Sequence, residues 1–293
     1  MKTYLLNHLI LIRFHHWIKN LFIFIPIFFS AEIFDYEKFI DIGLVTFGFC
    51  LVAGFIYIIN DILDIEYDRL HPTKKLRPIA ANILSIKNAF YFGCLILIIG
   101  LSIIYQINNN AFFLTLIYIM MNVLYSYKLK KLAIIDFITI SVGFVIRIFI
   151  GASVAHVELS EWIVLMVFLL SLFIAISKRR DDVVLLDEQK TVNREVIKEY
   201  STIYLDNVLS IVSSILLVSY LMYVTNDDVM KRYDSKLIYL TFIFVLLGIL
   251  RYSQLSIVYK ISGSPIKIFY SDLFLQIVLF MWALSFFIII YVL

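Results

Sequence analysis

The densest set of ionisable side chains in the chain lies in the run NDILDIEYDRLHPTKKLRPIA, which begins at Asn60. Asp61, Asp64 and Asp68 stand at i, i+3 and i+7. On a continued helix their side chains would project within about 60° of one another, while Glu66 points elsewhere. Three carboxylates on one face repel each other. A divalent cation among them removes that repulsion, and Mg²⁺ held by a few carboxylates completes its shell with water and phosphate oxygens. Lys74, Lys75 and Arg77 follow on a stretch punctuated by Pro72 and Pro78, and they can hold a further anionic group. The plainer reading is a charge-balanced loop, and the density of this run speaks against it.

Two other segments bring cations. YSYKLKKLAIID sets Tyr125, Lys128, Lys130 and Lys131 around the end of one apolar stretch and Asp136 at the start of the next. Arg147 lies about 16 Å farther along that helix. An arginine inside an apolar span is costly and marks either an anionic ligand or a tie between helices. SKRRDDVVLLDEQ places Lys178, Arg179 and Arg180 before Asp181 and Asp182, as a stop signal with internal ion pairs or as a third anion contact.

The elements that must position these groups are membrane spans. Of 293 residues, 62% are hydrophobic and 16% charged, and the mean hydropathy is +0.94. These values exclude a soluble cytoplasmic enzyme. A net charge of +3 and four prolines leave no basic domain for nucleic acid and no low-complexity tail. Cys50 and Cys94 fall in apolar runs without paired spacing, so neither a disulfide frame nor a thiolate metal site is indicated. Apolar stretches of roughly 17–25 residues, the length that crosses the hydrocarbon, recur nine times: near 17–33, 38–59, 88–106, 111–127, 133–155, 160–177, 205–225, 237–258 and 271–292. The first is short. The expectation is an all-α polytopic membrane protein, one integral domain over 1–293, entered by an interfacial amphipathic helix at 1–16. No internal repeat or Pro/Gly/Ser-rich linker divides it.

Lysine and arginine set the orientation. With the N-terminus cytoplasmic, nineteen of the 25 cations fall on that side and four opposite, while Arg147 and Arg251 lie within spans. The polar loops near 60–87, 126–136 and 178–204 then share the cytoplasmic face of the cell (inner) membrane.

The residues also carry a resemblance. Asn60-Asp61, Asp64 and Asp68 match the NDxxDxxxD signature of the UbiA-type intramembrane prenyltransferase superfamily, and the extended string NDxxDxxxDRxHPTKxxRPIA is similar to its decaprenyl-phosphate phosphoribosyltransferase branch. RFHHWIKN (13–20) resembles that branch's RPxQWxKN, YSYKLK (125–130) its YSxxLK, GFVIRIFIGA (143–152) its GFxxRxxxGA and SKRR (177–180) its GKRY. The likeness covers much of the chain up to the third polar loop. Phe14 and His16 depart from the first of these patterns and Arg180 from the last. The resemblance implies a UbiA-like bundle in which Asp61, Asp64 and Asp68 hold Mg²⁺ and the donor's diphosphate, with Asn60 beside them. It makes Lys19, Lys74, Arg77, Tyr125, Lys130, Arg147, Lys178 and Arg179 candidates for phosphate contacts or for shaping the pocket. Plain prenyltransferases of the superfamily carry a second aspartate motif, DxxxD, where this chain has KRRDD.

Charge inventory separates the two enzyme readings. An aromatic prenyltransferase holds one diphosphate and an apolar chain. A phosphoribosyltransferase acting on a polyprenyl phosphate holds a diphosphate, a sugar 5-phosphate and the acceptor phosphate, which three basic clusters around one acidic motif fit better. The expected reaction is Mg²⁺-dependent transfer of a 5-phosphoribosyl group from phosphoribosyl diphosphate to the lipid phosphate, releasing diphosphate. The alternative is transfer of a polyprenyl chain from its diphosphate to a small aromatic acceptor. A transporter for an anionic solute is the reading from another class. Transport sites usually lie near the midplane at broken helices in repeated halves, whereas here the charge gathers at span ends. Homo-oligomerisation stays open.

The topology is testable by accessibility. A single cysteine placed within 66–76 should react with an impermeant maleimide from the cytoplasmic side, and one near Asn109 only from the other. The reverse labelling would overturn both the map and the common face of the three polar loops.

Overall fold

The computed structural model describes residues 2–70, 74–189, 195–259 and 265–293. Among them every regular element is a helix. The elements are α1 (Lys2–Leu11), α2 (Ile25–Phe29), α3 (Tyr36–Leu63), α4 (Ile65–Leu70), α5 (Ile86–Ile107), α6 (Asn109–Tyr127), α7 (Ile135–Ala155), α8 (Glu161–Gln189), α9 (Thr202–Val224), α10 (Asp227–Arg232), α11 (Phe242–Ile257), α12 (Pro265–Ser271) and α13 (Leu273–Tyr291). Two longer 3₁₀ helices, Phe14–Phe24 and Lys236–Thr241, run into α2 and α11. The chain divides into two compact units, Met1–Leu159 and Ser160–Leu293.

Span starts are written by short polar side chains. Asp35, Ser85, Asn108, Ser201 and Asp272 each accept the backbone N–H three residues on, at 2.8–3.2 Å. Each satisfies one donor that the first helical turn leaves open. Among the described residues, the expected nine spans become eight helices long and apolar enough to cross, plus the short apolar segment Phe14–Phe29. The reason lies in that segment's form. Its 11 residues of 3₁₀ helix rise about 22 Å, and the five of α2 add about 7 Å. Sixteen residues thereby approach the ~30 Å of a hydrocarbon core.

In the first unit α3 and α7 are the enclosed spans, 72% and 61% buried over their apolar windows, whereas α5 and α6 are 22% buried. The two inner helices are the ones that carry Asp61 and Arg147. Ile42, Val45, Phe49 and Val52 of α3 pack with Ile146 and Ile150 of α7 and with Ile23 and Ile27 of the short segment. A second cluster joins Leu11, the last residue of α1, and Ile12 to Leu51 and Ile58 of α3 and Ile96 of α5. The segment expected to be interfacial is thus helical, and its end docks into the core. Close backbone approach fixes two crossings. A Cβ on Gly100 would lie 2.5 Å from the Gly48 carbonyl oxygen, so α3 and α5 meet through small residues. A Cβ on Gly151 would overlap the Ile23 carbonyl, and this seats the 3₁₀ helix against α7.

In the second unit α8 packs along α9, and α11 contacts α9 and α13. Phe173, Leu205, Leu209, Leu216, Ile249 and Phe286 are among its buried residues. α8 runs through Gln189, about 43 Å, so the SKRRDD segment expected to open a loop is helical. An Arg179–Asp182 pair at i, i+3 supports it. Lys190 and Arg194, counted among the cytoplasmic cations, lie outside the described residues.

Gly151→Ala should cost about 1–3 kcal/mol by overpacking, read as a lower unfolding midpoint in detergent. Gly43→Ala, whose Cβ would meet nothing within 4 Å, should be neutral or mildly stabilising. Equal midpoints for Gly151→Ala and the parent would refute the close seating of the 3₁₀ helix.

Candidate functional site

The acidic run sits at the end of the first unit where α3 and α6 finish and α5 and α7 begin. α3 carries Asn60 and Asp61 in its last turn and stops at Asp64, whose backbone (φ −97°, ψ 9°) leaves the helical region while its N–H still bonds the Asn60 carbonyl. α4 restarts at Ile65. The three aspartates therefore do not line one continuous helix face, and the break divides them. Arg77 Nη1 donates to Asp61 Oδ1 at 3.0 Å and to Asp68 Oδ2 at 2.5 Å. Arg13 Nη2 donates to the same Asp61 oxygen at 2.5 Å. Asp64 turns the other way: Lys130 Nζ donates to its Oδ1 at 2.5 Å and Asn60 Nδ2 to its Oδ2 at 3.1 Å. Asp61 and Asp68 are each 3% exposed, so these partners replace water.

Local backbone aims the cations. Arg13 joins α1 to the 3₁₀ helix in the left-handed region (φ 51°, ψ 54°), which costs a non-glycine residue roughly 1–2 kcal/mol. Its guanidinium also lies 4.7 Å from the Tyr57 ring centroid. Arg77 closes a turn on Lys74, its N–H bonding the Lys74 carbonyl at 2.9 Å. Lys130 sits in a one-turn 3₁₀ helix, Leu129–Lys131, and is buried. Ile134 follows at φ 70°, ψ −49°, with Ile135 N–H on the Ala133 carbonyl at 2.8 Å. This is the rare form of γ-turn, and it starts α7.

A second polar group lies deeper. Arg147, 5% exposed, donates to Asn20 Oδ1 (3.0 Å), the Gly143 carbonyl (2.7 Å) and Tyr118 Oη (2.9 Å). The faces of Phe49, Tyr118 and Phe144 surround its guanidinium at 4.9–5.2 Å. Asn20, 2% exposed, is oriented by donating to Cys50 Sγ at 3.0 Å. Lys19, beside it on the 3₁₀ helix, is partly buried. Tyr125, half-buried near the end of α6, makes no hydrogen bond among the described residues.

The third cluster belongs to the second unit and is described within it. Lys178 is exposed and Arg179 buried. Arg179 Nη1 donates to Asp182 at 2.7 Å. Arg180 pairs with Asp206 of α9 and donates to the Ser256 carbonyl of α11 at 2.9 Å, so it ties three helices. Arg251 pairs with Asp272 at 2.7 Å, and that hydrogen bonding holds the Asp272 carboxyl below the usual carboxylate range.

Among the described residues no three His, Cys, Asp or Glu side chains are gathered to hold a metal ion. The expected trio is instead neutralised by Arg13, Arg77 and Lys130, with Asp64 turned away from the Asp61–Asp68 pair. The donor set nevertheless suits a hard divalent cation, being all carboxylate and amide oxygen. One nitrogen of Arg77 already joins Asp61 and Asp68, so a single cation reaches both. Sequence reasoning missed Arg13 and Asn20 as site residues. Their signal was present: they are the first and last residues of RFHHWIKN, one of the segments that carry the resemblance.

These features define an all-helical, multi-span membrane protein with a charged site at the helix ends of its N-terminal unit. The pattern of the UbiA prenyltransferase family matches residues 21–284. The chain belongs to that family and is a transferase. It is 31% identical over 281 residues to the decaprenyl-phosphate phosphoribosyltransferase of Mycolicibacterium smegmatis, covering 92% of this chain and 88% of that one. It is 28% identical to the protein of the same name from Corynebacterium glutamicum, covering 93% and 83%. The solved UbiA homolog from Archaeoglobus fulgidus bound to GPP and Mg²⁺ superposes with a TM-score of 0.72 at 19% identity, covering 98% of this chain and 100% of that one. That likeness establishes the shared fold.

Arg77→Ala should destabilise the protein by roughly 2–3 kcal/mol, since it leaves a buried carboxylate unmet. Adding Asp68→Asn should restore most of the loss in a double-mutant cycle. Strictly additive losses in denaturant titrations would show that the pair is not coupled.

Proposed function

We propose that this chain transfers a 5-phosphoribosyl group from phosphoribosyl diphosphate to a polyprenyl phosphate at the cytoplasmic face of the cell membrane, with Mg²⁺ and with release of diphosphate. The observation that carries this reading is the separation of two cationic groups in the first unit. Arg13, Arg77 and Lys130 stand on carboxylates, whereas Lys19 and Arg147 stand apart from any. A single prenyl diphosphate needs only the first group; a reaction joining a diphosphate, a sugar phosphate and a lipid phosphate uses both. The near full-length similarity to proteins named decaprenyl-phosphate phosphoribosyltransferase supports the same reading.

Asp61, Asp64 and Asp68 would hold the metal, with Asn60 keeping the Asp64 carboxylate oriented. When bound, Mg²⁺ would supply positive charge against the diphosphate that departs. With the carboxylates given to a bound metal, Arg13, Arg77 and Lys130 would be left to meet phosphate oxygens. The same cations thereby stabilise the leaving group with donors already in place. Lys74, next to Arg77 in the turn, adds charge on that side. Cleavage of the anomeric C–O bond passes through an oxocarbenium-like state. The lipid phosphate already carries an ionised oxygen, so no side chain need act as a strong base. Attack from the face opposite the diphosphate inverts the anomeric carbon. Tyr125 is assigned to shaping the pocket of the first unit, and Lys178 and Arg179, within the second unit, to contact with a phosphate.

Purified protein with Mg²⁺, phosphoribosyl diphosphate and a polyprenyl phosphate should yield phosphoribosyl polyprenyl phosphate in the lipid fraction by mass spectrometry. Asp61→Asn and Asp64→Asn should each abolish turnover, and chelator should remove activity that Mg²⁺ restores. Prenylation of an aromatic acid with no use of phosphoribosyl diphosphate would replace this reading with the alternative.

A further inference from the structure

The segment between α3 and α5 has two unlike faces. Inward, Ile79 and Leu84 join the apolar cluster of Leu11 and Ile58, and Arg77 meets Asp68. Outward, Leu70 and Leu76 are 81% and 72% exposed, and Tyr67 and Ile83 are exposed as well. All four lie after the end of α3 at Leu63 and before the start of α5 at Ile86, so they are not part of the outward faces of the spans. The backbone holds them in place. The Ala81 N–H bonds the Arg77 carbonyl at 2.8 Å, and the Ile83 and Leu84 N–H groups bond the Pro78 carbonyl at 2.9 and 3.0 Å. Arg69 closes the other side by donating to Asn82 Oδ1 at 2.7 Å and to the Ala80 carbonyl at 3.4 Å. It thereby ties α4, which ends at Leu70, to the turn that carries Ile83. Charge is sorted in the same sense. Asp61, Asp64 and Asp68 pair with Arg13, Arg77 and Lys130, whereas Arg69, Lys75 and Lys87 are exposed against one exposed acid, Glu66. The partners of Arg69 are neutral oxygens, so its charge is not cancelled.

We infer that this segment is a foot that rests in an anionic headgroup layer of the bilayer. Exposed apolar surface held in a fixed shape and rimmed by cations marks an interaction site. The spans α3 and α5 bracket the segment, so the bilayer surface is already at hand. Leu70, Leu76 and Ile83 enter the boundary between headgroups and acyl chains, and Tyr67 sits at the same level. Arg69, Lys75 and Lys87 lay their apolar stems along that surface and reach lipid phosphates with their charged ends. Asp68 and Arg77 lie on the inner side of the same segment, so the foot sets the depth of the charged site relative to the membrane surface. This holds whichever reaction the site performs.

The test is amide hydrogen exchange of the full-length protein, one copy per nanodisc, in phosphatidylcholine alone and in phosphatidylcholine with phosphatidylglycerol. In the parent, the hydrogen-bonded amides within 77–84 should exchange roughly ten- to thirtyfold more slowly when phosphatidylglycerol is present, as expected for two or more cations at an anionic surface. High salt should shrink that difference. Lys75→Gln with Lys87→Gln should remove most of it, and Lys75→Arg with Lys87→Arg should keep it. Leu70→Ser with Leu76→Ser should speed exchange in both kinds of disc. Since the altered side chains are exposed, every variant should keep the parent's unfolding midpoint in detergent, which separates lost anchoring from lost folding. Equal exchange of the parent in the two lipids, a Gln variant that still responds fully to phosphatidylglycerol, or a Ser variant that exchanges like the parent would each overturn the foot. Protection that appears only in discs holding two copies would overturn it too and assign the face to a second copy of the chain.

Discussion

A carboxylate taken out of water at the edge of a hydrocarbon layer must lose its charge or be met by a cation. In this chain it is met three times. Arg77 bridges Asp61 and Asp68, Arg13 shares Asp61, and Lys130 takes Asp64. These partners come from far apart in sequence: the entry segment, the turn after α4 and the turn before α7. The requirement to neutralise one acidic run therefore draws the ends of the whole first unit together. It also stores, beside the acids, the cations that a phosphate would need.

The rest of the unit serves that requirement. Arg13 adopts a left-handed backbone where α1 gives way to the 3₁₀ helix, and Gly151 lets that helix lie against α7 with no side chain between. The same contact puts Asn20 beside Arg147 across 127 positions of sequence. Burial follows function along the spans. The enclosed helices α3 and α7 carry the polar groups, and the outward ones, α5 and α6, carry mainly apolar surface.

Much of this was legible beforehand. The spans from α3 onward declare themselves by length and hydropathy, and the acidic run by its spacing; Arg147 stands out as a charge in an apolar stretch. What stayed hidden depended on backbone form or on long-range pairing. Length is the measure for an α-helix, so it cannot reveal that the 16 residues Phe14–Phe29 take a longer-rising 3₁₀–α form. Nothing in a local pattern says that a helix ends at Asp64, so the trio read as one face was in fact divided between Arg77 and Lys130. Arg13 and Asn20 were not singled out because their partners are 48 and 127 residues away. The SKRRDD segment read as a loop because charge suggests one, whereas the i, i+3 ion pair keeps it helical.

The central claim is that the aspartates are neutralised internally until a metal and an anionic donor replace those partners together. Calorimetric titration of Mg²⁺ into the purified protein, with and without phosphoribosyl diphosphate and corrected for the ion that the donor binds in solution, addresses it directly. The account predicts that Mg²⁺ binds at least about tenfold more tightly when the donor is present, because Arg13, Arg77 and Lys130 then have phosphate oxygens to turn to. Equal Mg²⁺ affinity with and without the donor would contradict it.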